Sequence, residues 1–216
     1  MDAKTIIAKR IAKELSDGDL VNLGIGLPTL VANYISDDIA VYLQSENGLI
    51  GLGPTPKAGH EDYDLTNAGG QVVTLKEGGM YFDSALSFGI IRGSHVDITV
   101  LGALEVDAEG SLASWIIPGK LVPGMGGAMD LVVGAKKVIV GTTHTNKGKP
   151  KIKAQCSLPL TAKKEVDMIV TEYGVIKVKE DGLHLVEKHP DVSLETIIEA
   201  TEADLHINDV VPMEVE

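Results

Sequence analysis

The chain has 216 residues, 44% of them hydrophobic, and its 31 acidic against 19 basic residues give a formal net charge of −12. These values predict one globular domain over residues 1–216 and argue against nucleic acid and anionic membranes as partners. A single cysteine excludes an internal disulfide, and the charged N-terminal segment lacks the apolar run of a signal peptide or membrane span, so we expect a cytoplasmic protein.

The first part of the chain alternates between helical and β-rich patterns. Apolar residues recur at helical spacing between Ile6 and Leu15, which predicts an amphipathic helix that ends near the turn at residues 16–19. The apolar run at residues 20–35 is interrupted by glycines and by Pro28, an order typical of a strand, a tight turn and a helix. These segments predict a helix that packs on a sheet, followed by a βα unit.

Three more β-rich runs, at residues 40–48, 97–104 and 137–144, end in small or polar residues without a hairpin signal and so predict buried parallel strands. Ligands of open α/β sheets bind beyond the carboxyl ends of the strands, which makes the polar residues there the first candidates for chemistry. These candidates are Asn22, Ser45, Glu46, Asn47 and His144. Residues 167–190 then alternate as in an antiparallel hairpin, and residues 193–200 have a helical pattern.

Glu46 is a carboxylate placed directly after an apolar strand, inside a glycine-rich turn. A glutamate in such a place sits at a cleft, where partial loss of hydration makes its carboxylate a better nucleophile toward a bound thioester. Loops at strand ends often carry function, but many turns simply expose a glutamate. On position alone, the two interpretations are equally open.

Other motifs have both a functional and a structural interpretation. In residues 24–29, Thr29 replaces the third glycine of G-x-G-x-x-G, so a tight turn is favoured over dinucleotide binding. The small residues at 124–129 either form a compact loop or let main-chain amides approach a ligand. The basic segment at residues 144–153 is a candidate for attracting phosphates, although an exposed, solvated loop is favoured.

The cysteine and the histidines indicate neither a thiol nucleophile nor a metal site. No basic residue is placed beside Cys156 by the sequence, so burial as a small apolar residue is favoured. The histidines are scattered without metal-ligand spacing, and one cysteine offers no partner thiolate. The histidines are His60, His95, His144, His184, His189 and His206.

Several motifs together resemble one protein family over nearly the whole chain. The segment Q-S-E-N-G-L-I-G at residues 44–51 resembles the S-E-N-G signature of family I CoA-transferases, a group that contains acetate, butyrate–acetoacetate and succinyl-CoA:3-oxoacid CoA-transferases. Five further segments resemble the family in the same order. They are V-N-L-G-I-G-L-P at 21–28, S-F-G-I-I-R-G-S-H-V-D at 87–97, W-I-I-P-G-K at 115–120, G-M-G-G-A-M-D-L at 124–131 and C-S-L-P-L-T at 156–161.

This resemblance implies a fold and a site. The fold is α/β, an open three-layer α/β/α arrangement with a mainly parallel sheet, to which the late β-hairpin is added. Glu46 is implied as the catalytic nucleophile, which takes up an acyl group as an anhydride and then CoA as a thioester. A coenzyme A thioester is then a substrate, and neither a permanently bound cofactor nor a metal is expected. The residues implied to contact substrate or CoA are Asn22, Gly26, Asn47, Gly127 and Ala128.

The resemblance also implies partners. The chain lacks the G-G-F run of the family's other subunit, so it resembles the β subunit of an α₂β₂ heteromer that acts on an acyl-CoA and a short-chain carboxylate. Gly70 stands where many 3-oxoacid transferases carry lysine after N-A-G, which favours the acetate or butyrate–acetoacetate subgroup. The alternatives are the corresponding subunit of a succinyl-CoA:3-oxoacid CoA-transferase, a sugar-phosphate isomerase of related fold, and a non-catalytic acyl-CoA-binding subunit.

Overall fold

The computed structural model describes residues 1–120, 122 and 124–215, which form four α-helices, one 3₁₀ helix and fifteen strands. The helices are α1 (Ala3–Ala12), the 3₁₀ helix (Leu27–Tyr34), α2 (Ser84–Arg92), α3 (Ala128–Gly134) and α4 (Leu194–Glu199). The strands of the first half are β1 (Leu20–Leu23), β2 (Tyr42–Ser45), β3 (Leu49–Leu52), β4 (Leu75–Tyr81), β5 (Ile98–Leu101), β6 (Glu105–Asp107) and β7 (Leu112–Ala113). Those of the second half are β8 (Lys137–Gly141), β9 (Thr145–Asn146), β10 (Lys149–Pro150), β11 (Ile152–Lys153), β12 (Met168–Val170), β13 (Gly174–Lys179), β14 (Gly182–Lys188) and β15 (Leu205–Pro212).

Ten of the strands form one sheet in the order β15-β14-β13-β12-β8-β5-β1-β2-β3-β4. Its centre, from β12 to β2, is parallel throughout, as the buried apolar runs predicted. Antiparallel pairs flank this centre on both sides, and β15 pairs in parallel with β14 at one edge. The prediction of an α/β fold with a mainly parallel sheet is confirmed, and so is the late hairpin, which is β13 and β14.

The sheet lies between two layers. On one face, α1 and the 3₁₀ helix pack against a buried cluster that includes Ile7, Ile11 and Val100. On the other face, α2, α3 and α4 lie together with a small sheet of order β11-β6-β7, and Leu101 belongs to the buried cluster on that side. Because neighbouring residues of a strand point to opposite faces, the consecutive Val100 and Leu101 are buried in different layers. This gives the three-layer arrangement that the sequence predicted.

One strand ending differs from the sequence-based prediction. The run at residues 40–48 was predicted to end without a hairpin, but β2 turns back into the antiparallel β3 through only three residues, with Ser45 opposite Leu49. The signal for this hairpin is the Asn47-Gly48 pair, a dipeptide that favours tight turns. The expectation of a hairpin-free ending was therefore wrong for this strand.

The helices named above are short, between six and ten residues. Among the described residues, no helix combines the length and the apolar composition needed to cross a bilayer.

Candidate active site

Glu46 lies in the hairpin turn between β2 and β3, and Gly48 determines the shape of this turn. Gly48 has a φ of 118°, in the region that favours glycine, and a Cβ at this position would lie 2.1 Å from the carbonyl oxygen of Phe82. Its own carbonyl accepts a hydrogen bond from the Phe82 N–H at 2.9 Å. Only glycine fits this close approach, so the turn fixes Glu46 at the carboxyl end of a central strand.

Two of the residues predicted from the sequence lie directly beside Glu46, which is itself half-buried. The Nδ2 amide of Asn22, at the carboxyl end of the neighbouring strand, donates to Glu46 Oε2 at 3.3 Å. On another side, a Cβ added to the buried Gly127 would lie 3.0 Å from Glu46 Cγ. The backbone before α3 therefore reaches Glu46 because residue 127 has no side chain. Asn22, Glu46 and Gly127, which are far apart in the sequence, meet at one point.

Asn22 is held by a buried network of polar side chains. It is the register partner of Gln44 on β2, and Asn22 Nδ2 donates to Gln44 Oε1 at 2.7 Å. Gln44 Nε2 in turn donates to Ser87 Oγ at 3.1 Å. This chain of bonds turns the NH₂ group of Asn22 toward Glu46, and it leaves Asn22 Oδ1 buried without a hydrogen-bond partner among the described residues. A buried acceptor without a partner is uncommon in a folded protein, so Asn22 is held in place by the bonds of its NH₂ group.

The sequence analysis missed Gln44 and Ser87, both of which are fully buried. A signal was present for Gln44, which immediately precedes the Ser45-Glu46 pair at the end of a predicted strand. No comparable signal existed for Ser87, because its contact with Gln44 depends on how α2 packs under the sheet.

A cavity of about 180 Å³ opens beside Glu46. Its walls come from the turn after β1, from the 3₁₀ helix, from the ends of β2 and β3, and from the loop around residues 67–73. Among the described residues that line it, Glu46 is the only charged one, and the others are apolar, amide or hydroxyl side chains and glycines. The arrangement presents one carboxylate to a small, otherwise uncharged space, which suits a nucleophile better than a group that only binds cations.

The residues on either side of Glu46 hold one wall of this cavity in place. Ser45 Oγ accepts a hydrogen bond from the Ala68 N–H at 2.8 Å, and Asn47 Nδ2 donates to the Thr66 carbonyl oxygen at 2.7 Å. The exposed Asn47 was predicted to contact substrate, but its amide is engaged by Thr66 and it does not line the cavity. A substrate contact by Asn47 stays a prediction, and its visible role is to brace the loop.

Gly26 and Ala128 are the last two residues that were predicted to contact substrate or CoA. Gly26 is exposed, has a φ of 90° and caps the 3₁₀ helix, next to Ile25 in the cavity wall. The Ala128 N–H already donates to the Met125 carbonyl oxygen at 3.1 Å in the turn before α3. Contacts of Gly26, Gly127 and Ala128 with substrate or CoA stay predictions, and what the structure gives for Gly127 is its packing against Glu46.

His144, the remaining strand-end candidate, lies outside the site. Its ring is buried, with Nδ1 2.9 Å from Thr171 Oγ1 and Nε2 2.9 Å from Thr201 Oγ1, and it stacks on Tyr173 with ring centroids 4.8 Å apart. Burial lowers the pKa of His144 to about 4. These contacts join β12 to the end of α4, so the role of His144 is structural.

The buried His144 predicts a pH dependence of stability. The unfolded chain takes up this proton near the ordinary pKa of 6.5, but the folded chain does so only near 4, so acidification favours unfolding within that window. We expect a loss of about 3 kcal/mol of unfolding free energy between pH 7 and pH 4 from this residue. Urea titrations should give a shallower pH dependence for His144→Gln, which keeps hydrogen-bonding groups without titrating. Equal slopes for the two proteins would contradict this assignment.

Cys156 and Lys151, which belongs to the basic segment at residues 144–153, both have surroundings that indicate a structural role. Burial, and then the charges of Asp107 and Glu105, raise the pKa of Cys156 to about 12, so its thiol stays protonated and is a poor nucleophile. In the basic segment, Lys151 Nζ donates to the Ala103 carbonyl oxygen at 3.1 Å and so serves the fold. Lys147 and Lys149 are exposed, as expected for the solvated loop that the sequence favoured.

Known proteins resemble this chain along most of its length. The family profile described as coenzyme A transferase matches residues 4–200. The beta subunit of acetate CoA-transferase from Haemophilus influenzae is 57% identical over 210 residues, which cover 97% of this chain and 94% of that relative. The corresponding subunit of succinyl-CoA:3-ketoacid coenzyme A transferase from Helicobacter pylori is 51% identical over 203 residues, 94% of this chain and 98% of that relative.

A solved structure matches the fold along the whole chain. The acyl-CoA transferase YdiF from Escherichia coli O157:H7 superposes with a TM-score of 0.77 at 25% identity and covers 99% of this chain. The match spans only 43% of the YdiF chain, so this chain is less than half as extensive as that protein. With the profile matching most of its length and two relatives more than half identical, the chain belongs to the coenzyme A transferase family, among its beta-subunit chains.

Proposed function

We propose that this chain supplies the nucleophile, Glu46, of an enzyme that moves CoA between a short-chain acyl-CoA or 3-oxoacyl-CoA and a free carboxylate. The observation that supports this most directly is the placement of the Glu46 carboxylate. It faces a small cavity whose other described lining residues are uncharged, with the Asn22 amide on one side and the Gly127 backbone on another. Family membership supplies the reaction type, and the position of the carboxylate supports Glu46 as the nucleophile.

The proposed reaction conserves the activation of the thioester. A carboxylate oxygen of Glu46 attacks the thioester carbonyl, the C–S bond breaks, and CoA leaves as its thiolate with a glutamyl-acyl anhydride formed. The thiolate then attacks the glutamyl carbonyl, which releases the first acyl group as a carboxylate and leaves a glutamyl-CoA thioester. An incoming carboxylate runs the same steps in reverse. The NH₂ group of Asn22 orients the attacking carboxylate.

Both covalent intermediates react with water, so the site must be covered during catalysis. We propose that an α subunit covers it, in an α₂β₂ heteromer with the active site between unlike subunits. Large apolar side chains are exposed near the site, on the turn after β1, on β4, and on α2 and α3. They are Ile25, Met80, Tyr81, Leu86, Met129 and Val133. The subunit names of the relatives and the larger size of YdiF support a partner of this kind.

A prediction for assembly follows from Tyr81, the last residue of β4, which is 76% exposed. Tyr81 pairs with Leu49, the first residue of β3 after the turn that holds Glu46. Tyr81→Glu places a charge in the proposed interface, so we expect the affinity for the α subunit to fall at least ~10-fold. Analytical ultracentrifugation of the mixed subunits measures this change. The matched control is Val211→Glu on the opposite edge of the sheet, at a residue that is 53% exposed. Unchanged assembly by Tyr81→Glu would remove β4 from the interface.

The substrate class is the next part of the proposal. The described residues that line the cavity include no Lys, Arg or His, so no cation of this cavity wall pairs with the second carboxylate of a succinyl group. Monocarboxylic acyl groups of the acetate, butyrate and acetoacetate class are therefore favoured over succinyl.

The coenzyme A thioester acts as a substrate, and we propose no permanently bound cofactor. A cytoplasmic location and a single domain over residues 1–216 complete the proposal, the first favoured by the lone cysteine and the second by the shared sheet.

The proposed function is tested by reconstitution. The chain and an α subunit are expressed separately, and CoA transfer to acetate is measured for each alone and for the mixture. We expect transfer only from the mixture, with kcat/KM for butyryl-CoA or acetoacetyl-CoA at least ~10-fold above that for succinyl-CoA. A mixture that assembles but transfers no CoA would contradict the function. Equal use of succinyl-CoA would contradict only the substrate class.

A further inference from the structure

The edge of the sheet away from Glu46 carries a cluster of metal-ligating side chains that the proposed reaction does not use. His184 on β14 and His206 on β15 are register partners, and their rings stack with centroids 4.5 Å apart and planes 16° from parallel. Asp181 lies in the turn that leads into β14. One ligand atom from each of these three residues lies within 4.8 Å of the other two.

The backbone holds the three side chains together. His184 Nε2 is 2.8 Å from Asp181 Oδ1, and His206 Nε2 is 2.9 Å from the Asp181 carbonyl oxygen. Gly182 has a φ of 121°, and a Cβ at this position would lie 3.4 Å from His206 Nε2, so the glycine keeps the space above the turn open. Two paired strands and one tight turn therefore position the cluster, and no long loop contributes to it.

Two imidazole nitrogens and one carboxylate oxygen are a donor set that suits Zn²⁺ and its neighbours Cu²⁺, Ni²⁺ and Co²⁺, whereas Ca²⁺ and Mg²⁺ prefer oxygen ligands throughout. Both Nε2 atoms face oxygens that accept hydrogen bonds, so each ring now carries its proton on Nε2. A metal bound at Nε2 takes the place of these protons, which move to Nδ1 of the same rings. Tetrahedral Zn²⁺ requires ligand atoms about 3.4 Å apart, which lies between the 2.8 Å that separates His184 Nε2 from Asp181 Oδ1 and the 4.8 Å within which all three ligand atoms lie.

We propose that Asp181, His184 and His206 form a binding site for one Zn²⁺-class ion, which ties the last strand of the sheet to the hairpin before it. The bound ion is expected to stabilise this edge of the sheet. Among the strands that the structure describes, β15 is at the edge and pairs with β14 alone, so a metal shared by the two strands resists the opening of that edge. The cluster is six strands away from Glu46, roughly 29 Å across the sheet, so the ion takes no part in CoA transfer.

The nearest charged side chain by register is Lys177 on β13, the antiparallel partner of His184. Its ammonium group opposes a bound cation, so removing this charge should tighten metal binding, which gives a variant with an effect of the opposite sign. Lys177 is exposed, and its replacement by glutamine leaves the strand pairing unchanged.

The test is a zinc titration of the 216-residue chain, purified without a polyhistidine tag and freed of metal by chelation. Calorimetry should give one saturable site per chain, and thermal unfolding at about 100 times the Kd should occur about 5–10 °C higher than in chelator. Asp181→Asn and His206→Gln should each weaken binding at least ~10-fold, and Lys177→Gln should strengthen it. His95→Gln, at an exposed histidine elsewhere, is the matched control.

Two results would overturn the proposal. One is the lack of saturable zinc binding by the wild-type chain. The other is wild-type zinc affinity in both Asp181→Asn and His206→Gln. Thermal unfolding in chelator verifies that each variant is folded, and because both altered side chains are exposed, their loss should leave the metal-free stability nearly unchanged.

Discussion

Replacement of Glu46 by alanine is expected to reduce CoA transfer by the assembled enzyme by on the order of 10³-fold or more. The reason is that every bond-forming step of the proposed reaction involves the Glu46 carboxylate, and no other charged side chain is among the described residues lining the cavity. Glu46→Asp should also lose on the order of 10²-fold, since the shorter side chain withdraws the attacking oxygen by more than about 1 Å. Steady-state kinetics with butyryl-CoA and acetate measures both losses.

The fold should tolerate these changes. Glu46 is half-buried, and its one side-chain hydrogen bond within the described part of the chain is the 3.3 Å contact with Asn22, so the unfolding free energy should change by less than about 1 kcal/mol. Glu199→Gln, at an exposed position of α4, is the matched control and should retain full activity. Transfer by Glu46→Ala at the wild-type rate would exclude the proposed nucleophile.

Replacement of Gly127 by valine is expected to reduce kcat by on the order of 10²-fold while Glu46 remains in place. A Cβ at Gly127 would lie 3.0 Å from Glu46 Cγ and 3.5 Å from its Cδ, and the two γ carbons of valine need still more room. The carboxylate must therefore move away from the position that the hairpin gives it. Gly127→Ala, which adds the Cβ alone, should have an intermediate effect. The kinetics of both variants, with kcat and KM determined separately, measure this displacement.

The backbone itself accepts a side chain at residue 127, because Gly127 has a φ of −81°. A loss of activity would then reflect the position of Glu46, and thermal unfolding should change little. Gly89→Val on α2 is the matched control, since a Cβ there meets no atom within 4 Å. If Gly127→Val transfers CoA as fast as Gly89→Val, the packing of Gly127 against Glu46 has no part in catalysis.

The sequence predicted the centre of the fold because local patterns encode it. Runs such as Ile98–Leu101 are buried on both faces of the sheet. Their continuous, mainly apolar composition predicts this burial, because a strand covered on both faces has no polar side that alternates with an apolar one. The late hairpin and the helix capped by Ser193 also depend on nearby residues. The hairpin after Ser45 was missed even though Asn47-Gly48 signals it, because the polar residues there were interpreted as a strand ending.

The site was predicted only in part, for a physical reason. The position of Glu46 at a strand end and the motif around it select the nucleophile, but the contacts that orient it come from distant segments. Gln44 and Ser87 meet through the packing of α2 against the sheet, and no local pattern reports such a contact. The same limit applies to His184 and His206, which are 22 positions apart and become neighbours only when β14 pairs with β15.

The most direct test of the central claim is to find the covalent intermediate on Glu46. The chain, co-purified with its α subunit, is incubated with acetoacetyl-CoA or butyryl-CoA, treated with borohydride to reduce any glutamyl thioester, and analysed by intact-mass spectrometry and peptide mapping. We predict a CoA-dependent modification confined to the peptide that holds Glu46 and missing in Glu46→Ala. A complex that transfers CoA at its full rate while Glu46 stays unmodified would contradict the account.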